Sequence, residues 1–166
     1  MRSGRMARRA LIASAASLVT GCGFRPLYAP GAPADILQGR VALGLPEGRF
    51  GFLLRERLET RLGPATAPEF ALSVATTLES DDTAIQTDSG ISRINLVARA
   101  RFAVTRLDDP ALLIGGQVRS FTAYNTTASP FAADVAAQEA ERRVAISLAD
   151  QIVLRLAASA AGWAAL

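Results

Sequence analysis

At 166 residues, half of them hydrophobic, the chain has the length of one domain and enough apolar residues to form a core. Histidine is absent, which removes the commonest general base, the Ser-His-Asp and Cys-His catalytic arrangements and the commonest metal ligand. The formal net charge is +3, and a single cysteine excludes an internal disulfide. An all-carboxylate site is the alternative, but the acidic pairs Asp81-Asp82 and Asp108-Asp109 lie in turn-like stretches typical of solvated loops. We therefore expect neither an enzyme nor a bound metal or cofactor.

The first 21 residues have the organisation of an export signal. Four arginines precede a ten-residue apolar run at 10–19, and small residues follow it. The run is shorter than the roughly 17 to 25 residues that a membrane-spanning helix needs. The pair Arg8-Arg9 is compatible with twin-arginine export, but an ordinary basic start explains it better. Removal of this segment would take away four of the 18 arginines and leave 14 basic against 15 acidic residues. The mature chain therefore has no excess of positive charge that would favour binding to nucleic acid.

The cysteine at position 22 directly follows this signal. Residues 19–22, Val-Thr-Gly-Cys, resemble the bacterial lipobox, which implies cleavage before Cys22 and acylation of its thiol and its new amine. The alternative is a buried cysteine in a globular segment, but Cys22 lies between two glycines in a stretch without helix or strand periodicity. Acyl chains would hold the protein firmly on a membrane. Gly23 in second position implies, by the same resemblance, delivery to the outer membrane.

Residues 22–37 contain three prolines among small residues, which favours a tether between the lipid and a single domain at 38–166. The domain opens with a short strand at 40–45, where alternate residues are apolar. An amphipathic helix is predicted at 50–62, because apolar residues including Leu54 and Leu58 recur every four positions. Gly63-Pro64 then predicts the end of this helix.

Three further segments have the alternating pattern of strands: 70–78, 93–105 and 112–124. The turn-forming residues at 87–90 and 108–110 join them into antiparallel hairpins. In the last strand, Gly115-Gly116 predicts a β-bulge.

Ser129-Pro130 supplies an N-cap followed by proline at the first helical position. The helix that follows is predicted to run for about 28 residues, with a broad apolar stripe that includes Leu148 and Ile152. Two amphipathic helices need an apolar surface, which one face of a four-stranded sheet can provide. The fold class is therefore α/β (α+β), a two-layer sandwich with two helices on one face of a mainly antiparallel four-stranded sheet.

Several short motifs resemble the LptE family of lipopolysaccharide-assembly lipoproteins. Cys-Gly-Phe-Arg-Pro-Leu-Tyr at 22–28 resembles the start of the mature family members. The helical segment 49–58 resembles the family's first helix, and residues 129–132, 140–143 and 148–152 resemble its last. The resemblance implies an outer-membrane lipoprotein that pairs with the β-barrel LptD, lies largely inside its lumen or on its periplasmic side, and assists lipopolysaccharide assembly. An auxiliary lipoprotein of an envelope ABC transport system is the alternative.

The second of the long strands carries Arg93, Arg99 and Arg101 at odd positions, opposite its apolar side chains. In the context of this family, we interpret them as a surface that contacts lipopolysaccharide phosphates or acidic groups of the barrel, because arginine binds phosphate through paired hydrogen bonds. The alternative is a solvated sheet face whose charges only prevent aggregation. All basic residues of the chain are arginine and none is lysine, which reflects either a preference for paired contacts to phosphate or carboxylate groups or a GC-rich genome.

Overall fold

The structure is a computed structural model that describes residues 32–81, 92–126 and 129–164. The predicted signal peptide, Cys22, most of the predicted tether and the turn at 87–90 lie outside these residues. In chain order, the elements are α1 (Pro33–Ile36), β1 (Val41–Gly44), α2 (Gly48–Leu62), β2 (Phe70–Asp81), β3 (Ser92–Arg106), β4 (Leu112–Thr126), α3 (Pro130–Ser159) and a 3₁₀ turn (Ala160–Gly162).

The four strands form one sheet in the order β1-β2-β3-β4. β2, β3 and β4 are antiparallel to their neighbours, whereas β1 is parallel to β2. A parallel pair needs a long crossover connection, and α2 supplies it between β1 and β2. With α2 and α3 packed on one side, the architecture confirms the predicted two-layer fold and its mainly antiparallel sheet.

The core lies between the helices and the inward face of the sheet. Leu54 and Leu58 of α2 and Leu148 and Ile152 of α3 are all fully buried, as their periodic spacing predicts. The inward positions of the sheet are filled by side chains from all four strands, namely Val41, Phe70, Leu72, Val74, Leu96, Ala98, Ala100, Phe102, Val104 and Val118. Burial of these apolar side chains is the main force that holds the two layers together.

Helix α3 with its 3₁₀ turn, Pro130–Gly162, is long and apolar enough to cross a membrane by length and composition alone. Half of its most apolar stretch is buried inside the domain, however, and nine of the side chains of α3 are buried. We therefore interpret α3 as the core helix of this domain.

The predicted β-bulge at Gly115-Gly116 is wrong. Val104 pairs with Ile114 while the next residue, Thr105, pairs with Leu112, so the extra residue of the ladder is Leu113. Gly116 lies opposite Phe102 instead, and a Cβ there would come within 2.9 Å of the Cζ atom of the Phe102 ring. The glycine therefore provides space for an aromatic ring in the core.

The last residues of the predicted tether belong to the packed domain. Leu37, directly after α1, is fully buried and forms part of the core. Nearby, the indole of Trp163 packs edge-on against the ring of Phe70, with centroids 5.2 Å apart. α1 also packs against the C-terminal end of α3 and its 3₁₀ turn. We call this region, with Leu37, Phe70 and Trp163, the Trp163 end of the domain.

Two polar side chains of α3 reach the backbone of β4, which is an edge strand. Arg143 donates to the carbonyl of Ala123 at 3.3 Å, and Gln151 donates to the carbonyl of Arg119 at 3.2 Å. An exposed edge strand offers unpaired backbone groups to other chains, and such contacts reduce that exposure. The same bonds fix the position of α3 along the sheet.

We expect Leu148→Ala to lower the free energy of unfolding by about 2 to 5 kcal/mol, because truncating a fully buried leucine leaves a cavity. Leu154→Ala is the matched control, since Leu154 lies in the same helix but is 58% exposed. Denaturant titration of both variants checks the expectation. Equal effects would show that the buried stripe is not where the structure places it.

Candidate functional site on the open face of the sheet

The helices cover one face of the sheet and leave the other open. In β3, the even-numbered side chains from Leu96 to Val104 are buried in the core, so the odd-numbered ones face outward. Arg93, Arg99 and Arg101 therefore lie on the open face, as the alternation predicts. This face is the surface of the domain that carries the predicted contact residues.

Arg99 and Arg101 lie close together, and Arg119 of β4 joins them. Arg119 is the register partner of Arg99, which places the two Cβ atoms about 5 Å apart on the same face. Arg93 lies six residues from Arg99 along β3, a separation of about 20 Å. We call Arg99, Arg101 and Arg119 the arginine cluster, and the structure leaves Arg93 outside it.

One carboxylate pairs with the arginine cluster. Arg99 donates through Nη1 to Oε2 of Glu79 at 2.7 Å. Among residues 32–81, 92–126 and 129–164, the guanidinium groups of Arg101 and Arg119 form no ion pair or side-chain hydrogen bond. Like charges directly opposite each other on a sheet are destabilising. An anion bound between these groups would relieve that repulsion.

Sequence reasoning missed Arg119 and Glu79 as members of this site. Both belong to neighbouring strands, and their alignment with Arg99 depends on the pairing register. The alternation along β4 is the signal that could have found Arg119, because Val118 is apolar and Arg119 is charged. The same alternation in β2 marks Glu79, which follows the apolar Leu78.

An apolar patch adjoins the arginine cluster. Phe121 lies two residues from Arg119 on the same face, and 79% of its surface is exposed. Its register partner across the strands is the half-buried Val97. The open face therefore presents cationic groups next to an exposed aromatic ring, an arrangement suited to an amphiphile with anionic and apolar parts.

The chemistry that the arginine cluster offers is binding chemistry. Guanidinium groups donate hydrogen bonds to phosphate or carboxylate oxygens but do not deprotonate near neutral pH. Within the ranges that the structure describes, no group of three or more His, Cys, Asp or Glu side chains is placed to hold a metal ion. Anion recognition is therefore what the open face can perform.

A second charged network lies at the Trp163 end. Arg40 donates through Nε to Oε1 of Glu69 at 2.8 Å, and its guanidinium carbon lies 5.2 Å from the centroid of the Phe70 ring. Arg106 approaches the same ring at 5.7 Å. The hydrogen bond from Arg40 holds the pKa of Glu69 below its ordinary value and raises the pKa of Arg40.

Comparison with known protein families gives one match. The sequence profile of the family described as LptE, lipopolysaccharide-assembly, matches residues 37–156 of this chain. None of the curated proteins compared matches the chain significantly.

Solved structures of bacterial lipoproteins share the fold. A putative lipoprotein from Caulobacter crescentus superposes with a TM-score of 0.66 at 22% identity, covering 79% of this chain and 99% of that one. A minor lipoprotein from Acinetobacter baumannii superposes with a TM-score of 0.57 at 15% identity, covering 73% of this chain and 92% of that one. The rare lipoprotein B from Shewanella oneidensis superposes with a TM-score of 0.53 at 18% identity, covering 72% of this chain and 95% of that one. At these identities the comparisons establish the fold.

We expect the stabilising effect of Glu69 to depend on pH. Because its folded pKa lies below the ordinary value of 4.5, the ionised carboxylate stabilises the fold above about pH 4.5, and this effect is lost as the pH falls through the folded pKa. The difference in melting temperature between the native protein and Glu69→Gln should therefore shrink in acid. Glu56→Gln controls for the loss of one exposed negative charge. A difference that stays constant down to pH 3 would contradict the expectation.

Proposed function

Because the chain belongs to the LptE family of lipopolysaccharide-assembly proteins, we propose that it pairs with an LptD-type outer-membrane β-barrel, plugs its lumen and assists lipopolysaccharide assembly at the cell surface. The observation that carries the proposal is the family match over residues 37–156 together with a sheet that, among the described residues, is covered on one face by the helices. The open face is then the surface available to the partner and the lipid.

The polarity of the open face supports a position inside a barrel. The interior of a large outer-membrane barrel is polar, because lipid-facing and lumen-facing residues alternate along each strand. A plug must therefore present a mainly polar surface, and the arginine cluster with Glu79 does so. Exposed apolar side chains such as Phe131 and Val135, at the N-terminal end of α3, add area that a protein partner would cover.

The arginine cluster supports contact with lipopolysaccharide or with acidic groups of the barrel. The lipid carries phosphate groups next to acyl chains, and the open face carries guanidinium groups next to the exposed ring of Phe121. A planar guanidinium can bind a phosphate through two charge-assisted hydrogen bonds. We include Arg93 in the proposed contact surface as a separate, distal cation on the same face.

The proposal includes a covalent lipid on Cys22 and no other cofactor. Acylation there would tether the domain to the outer membrane, on its periplasmic side or in the barrel lumen, without any membrane-spanning segment of its own. The lipobox at 19–22 supports this assignment.

We expect a stoichiometric complex with a large β-barrel when the tagged native protein is purified from envelope membranes in mild detergent. Mass spectrometry of the co-purified chain identifies the partner. Recovery of a periplasmic shuttle or an inner-membrane transport complex in its place would support the ABC-transport alternative and contradict the barrel pairing.

We expect Arg99→Gln combined with Arg101→Gln to weaken lipopolysaccharide binding at low salt by at least about tenfold, corresponding to roughly 1.4 kcal/mol. Each charge-assisted hydrogen bond contributes about that much or more. Arg55→Gln combined with Arg142→Gln is the matched control, because it removes two positive charges from the helices. Circular dichroism checks the fold of both variants. Unchanged lipid binding and barrel co-purification would show that the cluster is only a solvated surface.

We expect Cys22→Ser to abolish acylation and leave a soluble or signal-retaining form. Metabolic labelling with radioactive palmitate measures the modification directly. Labelling that persists in Cys22→Ser would contradict the assignment of the anchor.

A further inference from the structure

The turn between β3 and β4 carries exposed apolar side chains. Leu107 is 54% exposed and Leu112 is 65% exposed, and the two residues flank the turn at 108–111. Pro110 and Ala111, within the turn, are exposed as well. Single exposed leucines are common on protein surfaces, so their exposure alone does not indicate a function. The position of this turn in the fold is therefore the informative observation.

Hydrogen bonds connect this turn to the start of the described chain. Arg40 donates through Nη1 to the carbonyl of Ile36, the last residue of α1, at 3.2 Å. Arg40 also pairs with the side chain of Glu69, and the carbonyl of Glu69 accepts the N–H of Leu107 at 3.0 Å. The β3–β4 turn is therefore at the Trp163 end, beside the helix that follows the N-terminal segment.

The length of the N-terminal segment limits how far a lipid on Cys22 can lie from this end. Ala32 is ten positions after Cys22, which corresponds to at most about 36 Å of extended chain. The 30 residues of α3 extend for about 45 Å, and α1 packs near their C-terminal end. The segment that carries Cys22 therefore joins the domain at the Trp163 end, whereas Phe131 lies at the opposite end of α3.

We propose that the β3–β4 turn protrudes from the periplasmic mouth of the barrel and is a membrane contact, which inserts Leu107 and Leu112 into the phospholipid interface beside the acyl chains of Cys22. This inference rests on the acylation included in the proposed function. Two leucines alone would bind a bilayer weakly, but an anchor on the same chain keeps them at high effective concentration near it. With both contacts in place, the Trp163 end of the domain stays at the membrane surface.

The polar groups of the turn are compatible with an interfacial position. Asp109 accepts the backbone N–H of Ala111 through Oδ1 at 3.1 Å, so part of its hydrogen-bonding capacity is satisfied within the turn. Asp108 is exposed, and at the interface it would lie among the ammonium groups of phosphatidylethanolamine. Leu112 packs beside Gly115 on the open face, which extends the apolar surface from the turn along the edge of the sheet.

The test uses the full-length acylated protein in vesicles of phosphatidylethanolamine and phosphatidylglycerol. Acylation blocks the native thiol, so Leu107→Cys accepts an environment-sensitive fluorophore at one position. Phe131→Cys, at the opposite end and 78% exposed, is the matched control. Lipids that carry a quencher in their acyl chains should reduce the fluorescence of the label at 107 at least twofold and leave the label at 131 unchanged.

Two outcomes separate this inference from the acylation on which it rests. Loss of vesicle flotation would overturn the anchor and the membrane contact together. Flotation without quenching at 107, or with equal quenching at 107 and 131, would overturn the membrane contact alone.

A second variant tests the leucines themselves. Leu107→Ser with Leu112→Ser should leave flotation and the melting temperature unchanged, because both leucines are exposed. Quenching of a label at Ala111→Cys should be lost in this background and kept in a Leu154→Ser background. Quenching that persists at 111 without the two leucines would contradict their insertion.

Discussion

The packing of α3 against β3 and β4 is the contact on which the rest of the fold depends. Small side chains line it on both sides, with Ala98 and Ala100 on the sheet and Ala145 and Ala149 on the helix, all fully buried. Alanines let the helix approach closely, and Leu148 and its neighbours fill the remaining space. Because both helices occupy this side, the opposite face remains free for the arginine cluster. The open face therefore depends on where the apolar side of the sheet lies.

The periodic pattern of apolar residues was sufficient to predict the secondary structure. Alternation predicted the strands, and a helical recurrence predicted the two main helices and the residues that they bury. Neither pattern could predict the bulge, since the position of an extra residue depends on how two distant strands fit together. Thr105 of β3 pairs with Leu112 of β4. If the pairing continued from there without the extra residue Leu113, Arg99 would be opposite Val118. With it, Val118 turns into the core and Arg119 faces outward. A single residue in the ladder thus decides which β4 side chains form the site.

For the site as well, features set by local strand geometry could be predicted, and features set by the pairing of distant strands could not. Arg99 and Arg101 share a face because strand geometry is local, and their sequence positions alone place them together. Arg119 and Glu79 join them through pairing with other strands, and the parallel direction of β1 likewise follows from the crossover of α2 rather than from its own four residues. Arg93 shares the face but not the cluster, because six residues of extended chain separate it from Arg99.

The position of α3 after all four strands in the chain has a consequence for the order of folding. Whenever the chain emerges N-terminus first, from a ribosome or from a translocation channel, β1 and α2 appear before the helix that completes their core. The three antiparallel strands can pair through short-range hairpins, but their apolar face stays uncovered until residues such as Leu156 and Trp163 have been made. The emerging chain therefore exposes aggregation-prone surface until α3 has appeared, and a holding chaperone could bind that surface during this interval.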